Sequence, residues 1–150
     1  IYIFLESMET TFYSKQEGGL SEKDLIPEIS KLPLFIDELG EELGLSPELV
    51  FNLNLVLEEA VSNIILYAYP KGEHENISLT AKKTENQLLF VLTDTGKEFD
   101  PTLMPDADVN LAAEDRQIGG LGIFLIRQIM NQVEYQRIDG RNVLTLGKDL

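Results

Sequence analysis

Glu59 and Asn63 stand four apart in a stretch otherwise rich in Val, Leu, Ile and Ala. On a helix that spacing makes them neighbours on one face. A carboxylate in apolar surroundings is costly unless it is paired or solvated by design. Such a pair could orient a water or hydroxyl through the carboxylate and ligate Mg2+ through the amide oxygen. The plainer alternative is a solvated stripe of Glu58 and Glu59, with Asn63 bonded to nearby backbone, and for this pair alone the plainer alternative is favoured. A second candidate is Asp94 in FVLTDTGKEFD, two residues before Gly96. Asp-Thr-Gly occurs in aspartic proteases, in ligand-reading turns and in strands that run out into loops. The protease needs two such aspartates in an all-β chain or its dimer. Two long helical patterns oppose that fold, and Lys97 would put a cation beside the dyad. What remains is a plain strand end, or a carboxylate that accepts from a ligand amine while Gly96 leaves room for a flat ring. A third candidate is the cluster Gly119, Gly120, Leu121, Gly122 ahead of an amphipathic stretch. Glycines let backbone approach a ligand, and a helix start offers unpaired N–H groups to phosphate. No Gly-Lys-Ser/Thr follows, and a loop precedes where a dinucleotide fingerprint would have a strand. Glycines that simply punctuate a loop are the alternative here.

The elements that must position these residues follow from periodicity and punctuation. The stretch 9–16 reads as a strand. The stretch 20–45 has apolar residues at helical spacing, with Pro27 suited to a first turn, Pro33 expected to break or kink the helix, and Gly44 ending it. The clearest helix is SPELVFNLNLVLEEAVSNIILYAYP. Ser46 suits its N-cap, Pro47 its first position and Glu48 the positive end of its dipole. Pro70 and Gly72 stop it, and its apolar faces predict burial. ENISLTAKKT and NQLLFVLTDT form an antiparallel hairpin. A loop rich in Asp, Pro and Gly runs over roughly 95–119, and GLGIFLIRQIMNQV is a short amphipathic helix. VEYQRI and RNVLTLGKDL flank Asp139-Gly140, a type I′ turn signal. This order predicts an α+β sandwich, with helices on one face of a mixed or antiparallel sheet.

Composition narrows the function classes. The 150 residues suit one domain spanning 1–150, in which the first eight are either an irregular extension or part of a first strand. The chain holds no cysteine, which excludes disulfides, thiolate catalysis and Cys-type zinc sites. That fits a reducing cytoplasm. No apolar run approaches the ~20 residues a membrane-crossing helix needs. The net charge of −14 repels nucleic acid and anionic lipid. An anionic ligand must therefore be held by local donors and a cation. His74, the single histidine, sits in a polar turn and cannot build a His-rich metal site.

Each motif is weak alone, but their order and spacing are specific. Glu59-x-x-x-Asn63 on a helix, Asp94-x-Gly96 after a hairpin, then Gly-Gly-Leu-Gly opening a helix resembles the Bergerat-fold (GHKL) ATPases. Gyrase, histidine kinases and mismatch-repair ATPases share that site. EEAVSNIILYAYP, DTGKEFDP, GGLGIFLIRQIMNQVEYQR and GRNVLTLGKDL look most similar to the small anti-sigma-factor serine kinases of bacteria. The resemblance runs from about residue 20 onward. It implies a two-layer α/β sandwich of Bergerat type, with ATP and Mg2+ as cofactors. It implies Glu59 as general base, Asn63 as Mg2+ ligand, Asp94 as reader of the adenine amine and Gly96 beside the ring. Gly120, Leu121, Gly122 and Ile123 would offer N–H groups to phosphates, under a lid from 101 to 119 in which Arg116 neutralises charge. The implied substrate is a seryl residue on an anti-anti-sigma protein, and the implied second partner is a sigma factor, with a homodimer by analogy. A non-catalytic ATP-binding module, or the ATPase component of another partner-switching system, is the alternative.

Overall fold

In the computed structural model the described residues are 7–13, 31–69, 76–104 and 120–150. They comprise β1 (Ser7–Tyr13), α1 (Lys31–Leu43), α2 (Pro47–Asn63), a π-helical turn (Ile64–Ala68), β2 (Asn76–Lys83), β3 (Gln87–Asp94), a 3-10 turn (Pro101–Leu103), α3 (Gly120–Ile129), β4 (Gln132–Ile138) and β5 (Arg141–Asp149). The strands make one sheet in the order β1-β2-β3-β5-β4. Every neighbouring pair is antiparallel, so the mixed or mostly antiparallel sheet expected from the sequence is wholly antiparallel among the described strands.

Strand alternation sorts the two faces of the sheet. Leu88, Phe90 and Leu92 of β3 point into the core with Ile77 and Leu79 of β2 and Leu144 and Leu146 of β5. Leu53, Val56, Leu57 and Val61 of α2 and Ile123 and Ile126 of α3 meet them in one continuous cluster. The helices therefore form a single layer over one face. The same alternation carries a polar residue inward, because Asp94 is the next buried position after Leu92.

Local chemistry explains most element ends. Ser46 Oγ accepts from the Leu49 N–H at 3.2 Å, with Pro47 at the first position of α2. α1 ends where the Leu45 N–H reaches back to the Gly40 carbonyl at 2.9 Å. Pro33 lies in the first turn of α1, where its missing N–H would have had no intrahelical partner, and the expected break between it and the residues before Lys31 falls outside the described residues. Residues 14–30, which include the start expected for this helix, lie outside the described residues. Ser7 and Met8 pair in β1, so the stretch 1–8 overlaps a strand, and 1–6 lie outside the described residues. Asp139 and Gly140 both have positive φ, 49° and 77°, as a type I′ hairpin requires.

Two features depart from expectation. The run Pro47–Ala68 is long and apolar enough, by length and composition, to cross a membrane, contrary to the sequence reading; here its buried residues pack into the core. The long helix also does not continue as α-helix to Pro70. It widens into the π turn directly after Asn63, and the end of that turn meets the segment that follows β3. Single π turns inside helices recur at functional sites.

Candidate active site

Asp94 is buried, 2% exposed, and its two carboxylate oxygens differ. Oδ1 accepts from the Gly96 N–H at 2.9 Å and from Asn142 Nδ2 at 2.8 Å. Oδ2 is buried and has no partner among the described residues. An unpaired buried acceptor costs about 1–3 kcal/mol and calls for a reason. Burial pushes the Asp94 carboxyl above its ordinary range, while Asn142, the Gly96 N–H and the Arg137 charge act the other way. An external N–H donor would satisfy Oδ2.

The turn after Asp94 is docked on the π segment. The Lys97 N–H donates to the Ala68 carbonyl at 2.8 Å, and the Thr95 N–H donates to the Tyr69 hydroxyl at 3.1 Å. The rings of Tyr67 and Phe99 pack with centroids 5.2 Å apart. A Cβ at Gly96 would lie 2.6 Å from the Ala68 carbonyl oxygen, a backbone atom that cannot swing aside, so only glycine fits this approach.

Further back along the same helical run lie Asn63 and Glu59. Asn63 is 3% exposed, and its Nδ2, the donor end of the amide, has no partner among the described residues. Glu58 is exposed and Glu59 half-buried, so the solvated stripe describes only Glu58. Burial, and then the neighbouring charge of Glu58, raise the Glu59 carboxyl above its ordinary range. That direction suits a group that must take a proton near neutral pH.

α3 opens against this carboxylate. A Cβ at Gly122 would lie 2.5 Å from Glu59 Oε2. Gly120, Leu121, Gly122 and Ile123 form the first turn of α3, where N–H groups lack intrahelical partners and the dipole favours anions. Ile123 is buried in the core and has only its backbone to offer. The helical run thus meets Gly122 at Glu59 and Gly96 at Ala68, roughly 13 Å of helix rise apart. An acid, an anion-favouring helix start, a buried amide and an amine-seeking carboxylate lie along one line. Gly122→Ala is expected to push the Glu59 carboxylate from its place. Turnover should fall at least about tenfold with little loss of melting temperature, a split that a kinetic assay beside a thermal melt reads directly.

Of the residues the sequence singled out, the structure brings together Glu59, Asn63, Asp94, Gly96 and the Gly120–Ile123 turn. Arg116 and His74 lie outside the described residues, as does 105–119 of the expected lid. The first part of that lid is corrected: Pro101–Leu103 is a packed 3-10 turn with Pro101 buried. Asp100 Oδ1 accepts from the Thr102 N–H at 2.8 Å, and Arg127 of α3 donates to the Thr102 carbonyl at 2.6 Å. The sequence reading missed Asn142, Tyr69 and Arg137. Asn142 pairs with Asp94 across β3 and β5, a long-range register that the Asp139-Gly140 turn, which sets only β4 against β5, does not announce. Among the described residues no group of three His, Cys, Asp or Glu side chains could cage a metal.

A helical layer on an antiparallel sheet, with its polar residues gathered along one helix and the strand and turn beside it, defines a two-layer ATPase fold of the Bergerat type. The histidine kinase-like ATPase domain matches residues 25–148. The chain belongs to this family. It is 37% identical over 101 residues to the serine/threonine-protein kinase BtrW of Bordetella bronchiseptica, covering 67% of this chain and 71% of that one. It is 29% identical over 115 residues to the serine-protein kinase RsbW of Listeria monocytogenes, covering 74% of this chain and 73% of the other. A chain in the crystal structure of the SiaB-SiaC complex from Pseudomonas aeruginosa superposes with a TM-score of 0.49 at 16% identity, over 94% of this chain and 89% of that chain.

Proposed function

We propose that this chain is an ATP-dependent protein serine kinase of the cytoplasm that phosphorylates a seryl residue on an anti-anti-sigma protein and sequesters a sigma factor. The observation that carries this reading is the buried Oδ2 of Asp94, without a partner among the described residues, at the end of β3, whose following turn docks on the same helical run whose Glu59 abuts the glycine start of α3. Asp94 Oδ2 accepts from the adenine amine, with Gly96 beside the ring; the missing Cβ of Gly96 itself lets the turn close on the Ala68 carbonyl. The first N–H groups of α3 receive the phosphates, and Arg116 adds positive charge to them. Glu59 takes the proton of the seryl hydroxyl as its oxygen bonds to the γ-phosphorus, the bond to the β–γ bridging oxygen breaks and ADP leaves. Asn63 holds Mg2+, which supplies charge neutralisation at the phosphates. Mg2+ keeps its waters and takes few protein ligands, so the side-chain oxygen of one buried amide, Asn63, would suffice beside the phosphates. A net charge of −14 leaves little else to offset a triphosphate, which makes transfer strictly metal-dependent. The protein acts as a homodimer, without direct contact to nucleic acid or membrane.

The test is incubation with Mg-ATP and a purified anti-anti-sigma protein, read by phosphoserine mass spectrometry, beside thermal melts with ATP, ADP and GTP with and without magnesium. Phosphoserine formation and stabilisation by adenine nucleotides only are the expected results. Tight ATP binding without phosphoserine would instead identify a nucleotide-gated binding module, and no stabilisation by any purine nucleotide would overturn the site.

A further inference from the structure

Asn142 is a buried polar residue on β5, 4% exposed, and every polar position of its side chain is engaged. Oδ1 accepts from the Phe99 N–H at 3.2 Å, from the Tyr135 hydroxyl at 2.6 Å and from Arg137 Nη1 at 3.0 Å. Nδ2 donates to Asp94 Oδ1 at 2.8 Å and to the Lys97 carbonyl at 2.8 Å. The same Arg137 nitrogen donates to the Gly96 carbonyl at 2.9 Å. One amide therefore binds the carboxylate, both ends of the turn that follows it and the neighbouring strand.

This arrangement has a consequence for Asp94. A carboxylate is symmetric and could rotate or tilt to offer either oxygen. Here Oδ1 is held by two donors and Oδ2 by none among the described residues, so any rotation breaks the Asn142 bond. A ligand edge meets a fixed, negatively charged acceptor. An exocyclic amine satisfies it. A purine with a 6-oxo group presents a lone pair there instead, and its ring N–H can be reached only if the carboxylate shifts.

We propose that Asn142 is a positioning residue that fixes the orientation of the Asp94 carboxylate toward the base, and thereby sets the preference for a 6-aminopurine over a 6-oxopurine nucleotide. The inference rests on Asp94 as the base reader. Its test measures calorimetric affinities for ATP, ITP and purine riboside 5′-triphosphate, which lacks a 6-substituent. Wild type is compared with Asn142→Ala, Asn142→Thr and Asp94→Asn. In wild type ATP binds best. In Asn142→Ala the ATP advantage over ITP shrinks by about tenfold, the worth of one well-placed hydrogen bond, while purine riboside triphosphate binds as before. Asn142→Thr suits a strand and folds if the alanine variant does not; its hydroxyl cannot hold both Asp94 and Lys97, and it loses the same advantage. A purely architectural asparagine would weaken all three nucleotides together, and that result overturns the proposal. If Asp94→Asn abolishes the preference and both Asn142 variants keep it, Asn142 has no such role and the reading of Asp94 stands. If Asp94→Asn itself keeps the preference, the base is read elsewhere and the proposal falls with that reading.

Discussion

Glu59→Ala lowers phosphoryl transfer to a seryl substrate by about two to four orders of magnitude, the usual worth of a positioned general base, and leaves ATP affinity nearly unchanged. The carboxylate lies against Gly122 at the start of α3, where the reacting phosphate would be held, and far from Asp94, where the base would be read. Single-turnover transfer beside calorimetric binding separates the two effects. Undiminished phosphoserine formation in the alanine variant would remove Glu59 from the reaction. The pH dependence carries the same signature. Burial first, and then Glu58, hold the Glu59 carboxyl above its ordinary range. A base must be ionised, so the acid limb of turnover lies above the ordinary glutamate range, and Glu58→Gln moves it downward. The sign for stability is opposite. A raised folded-state pKa means the folded chain binds this proton more readily than the unfolded chain. Its contribution is fully present below the unfolded pKa and is lost as pH rises through the folded one. Across that window wild type should lose melting temperature relative to Glu59→Gln, the neutral stand-in for the protonated acid, while turnover climbs.

Asp94→Asn weakens ATP binding by about 10- to 100-fold, corresponding to the roughly 1.5–3 kcal/mol of a hydrogen bond to a charged group. The isosteric amide has two orientations, and both fail. If its oxygen stays toward the Gly96 N–H and Asn142 Nδ2, its NH2 occupies the Oδ2 position and meets the adenine amine, donor against donor. If it flips, the oxygen meets the base but the NH2 faces those two protein donors. Calorimetry on the folded variant reads the loss, and affinity equal to wild type would show that this carboxylate does not touch the nucleotide.

The parts of this site visible in the sequence are those that periodicity fixes. Four residues along a helix place Asn63 beside Glu59, alternation along β3 places Asp94 inward after Leu92, and a glycine run before an amphipathic stretch marks a helix start. The Asp-Gly hairpin was equally legible, since only a turn with two positive φ angles uses that pair so readily. The π turn over Ile64–Ala68 was hidden because that run contains no glycine or proline, and its widening is settled by what docks on it. Asn142 was hidden for a different reason. Its importance arises only after β5 finds β3, a pairing between segments distant in the chain, and no local pattern announces a long-range partner. The start of the expected lid failed likewise, because the Arg127 tie to the Thr102 carbonyl is a tertiary contact.

The strand order gives the nascent chain a particular history. β5 inserts between β3 and β4, so the side of β3 away from β2 has no partner until residues 141–149 have left the ribosome. During synthesis that apolar rim is a docking edge for chaperones or for aggregation. The clamp on Asp94 is likewise missing through that interval. Competence to bind nucleotide should therefore be acquired late and at once during translation, and ribosome-stalled chains ending before residue 141 should gain no protease resistance from ATP.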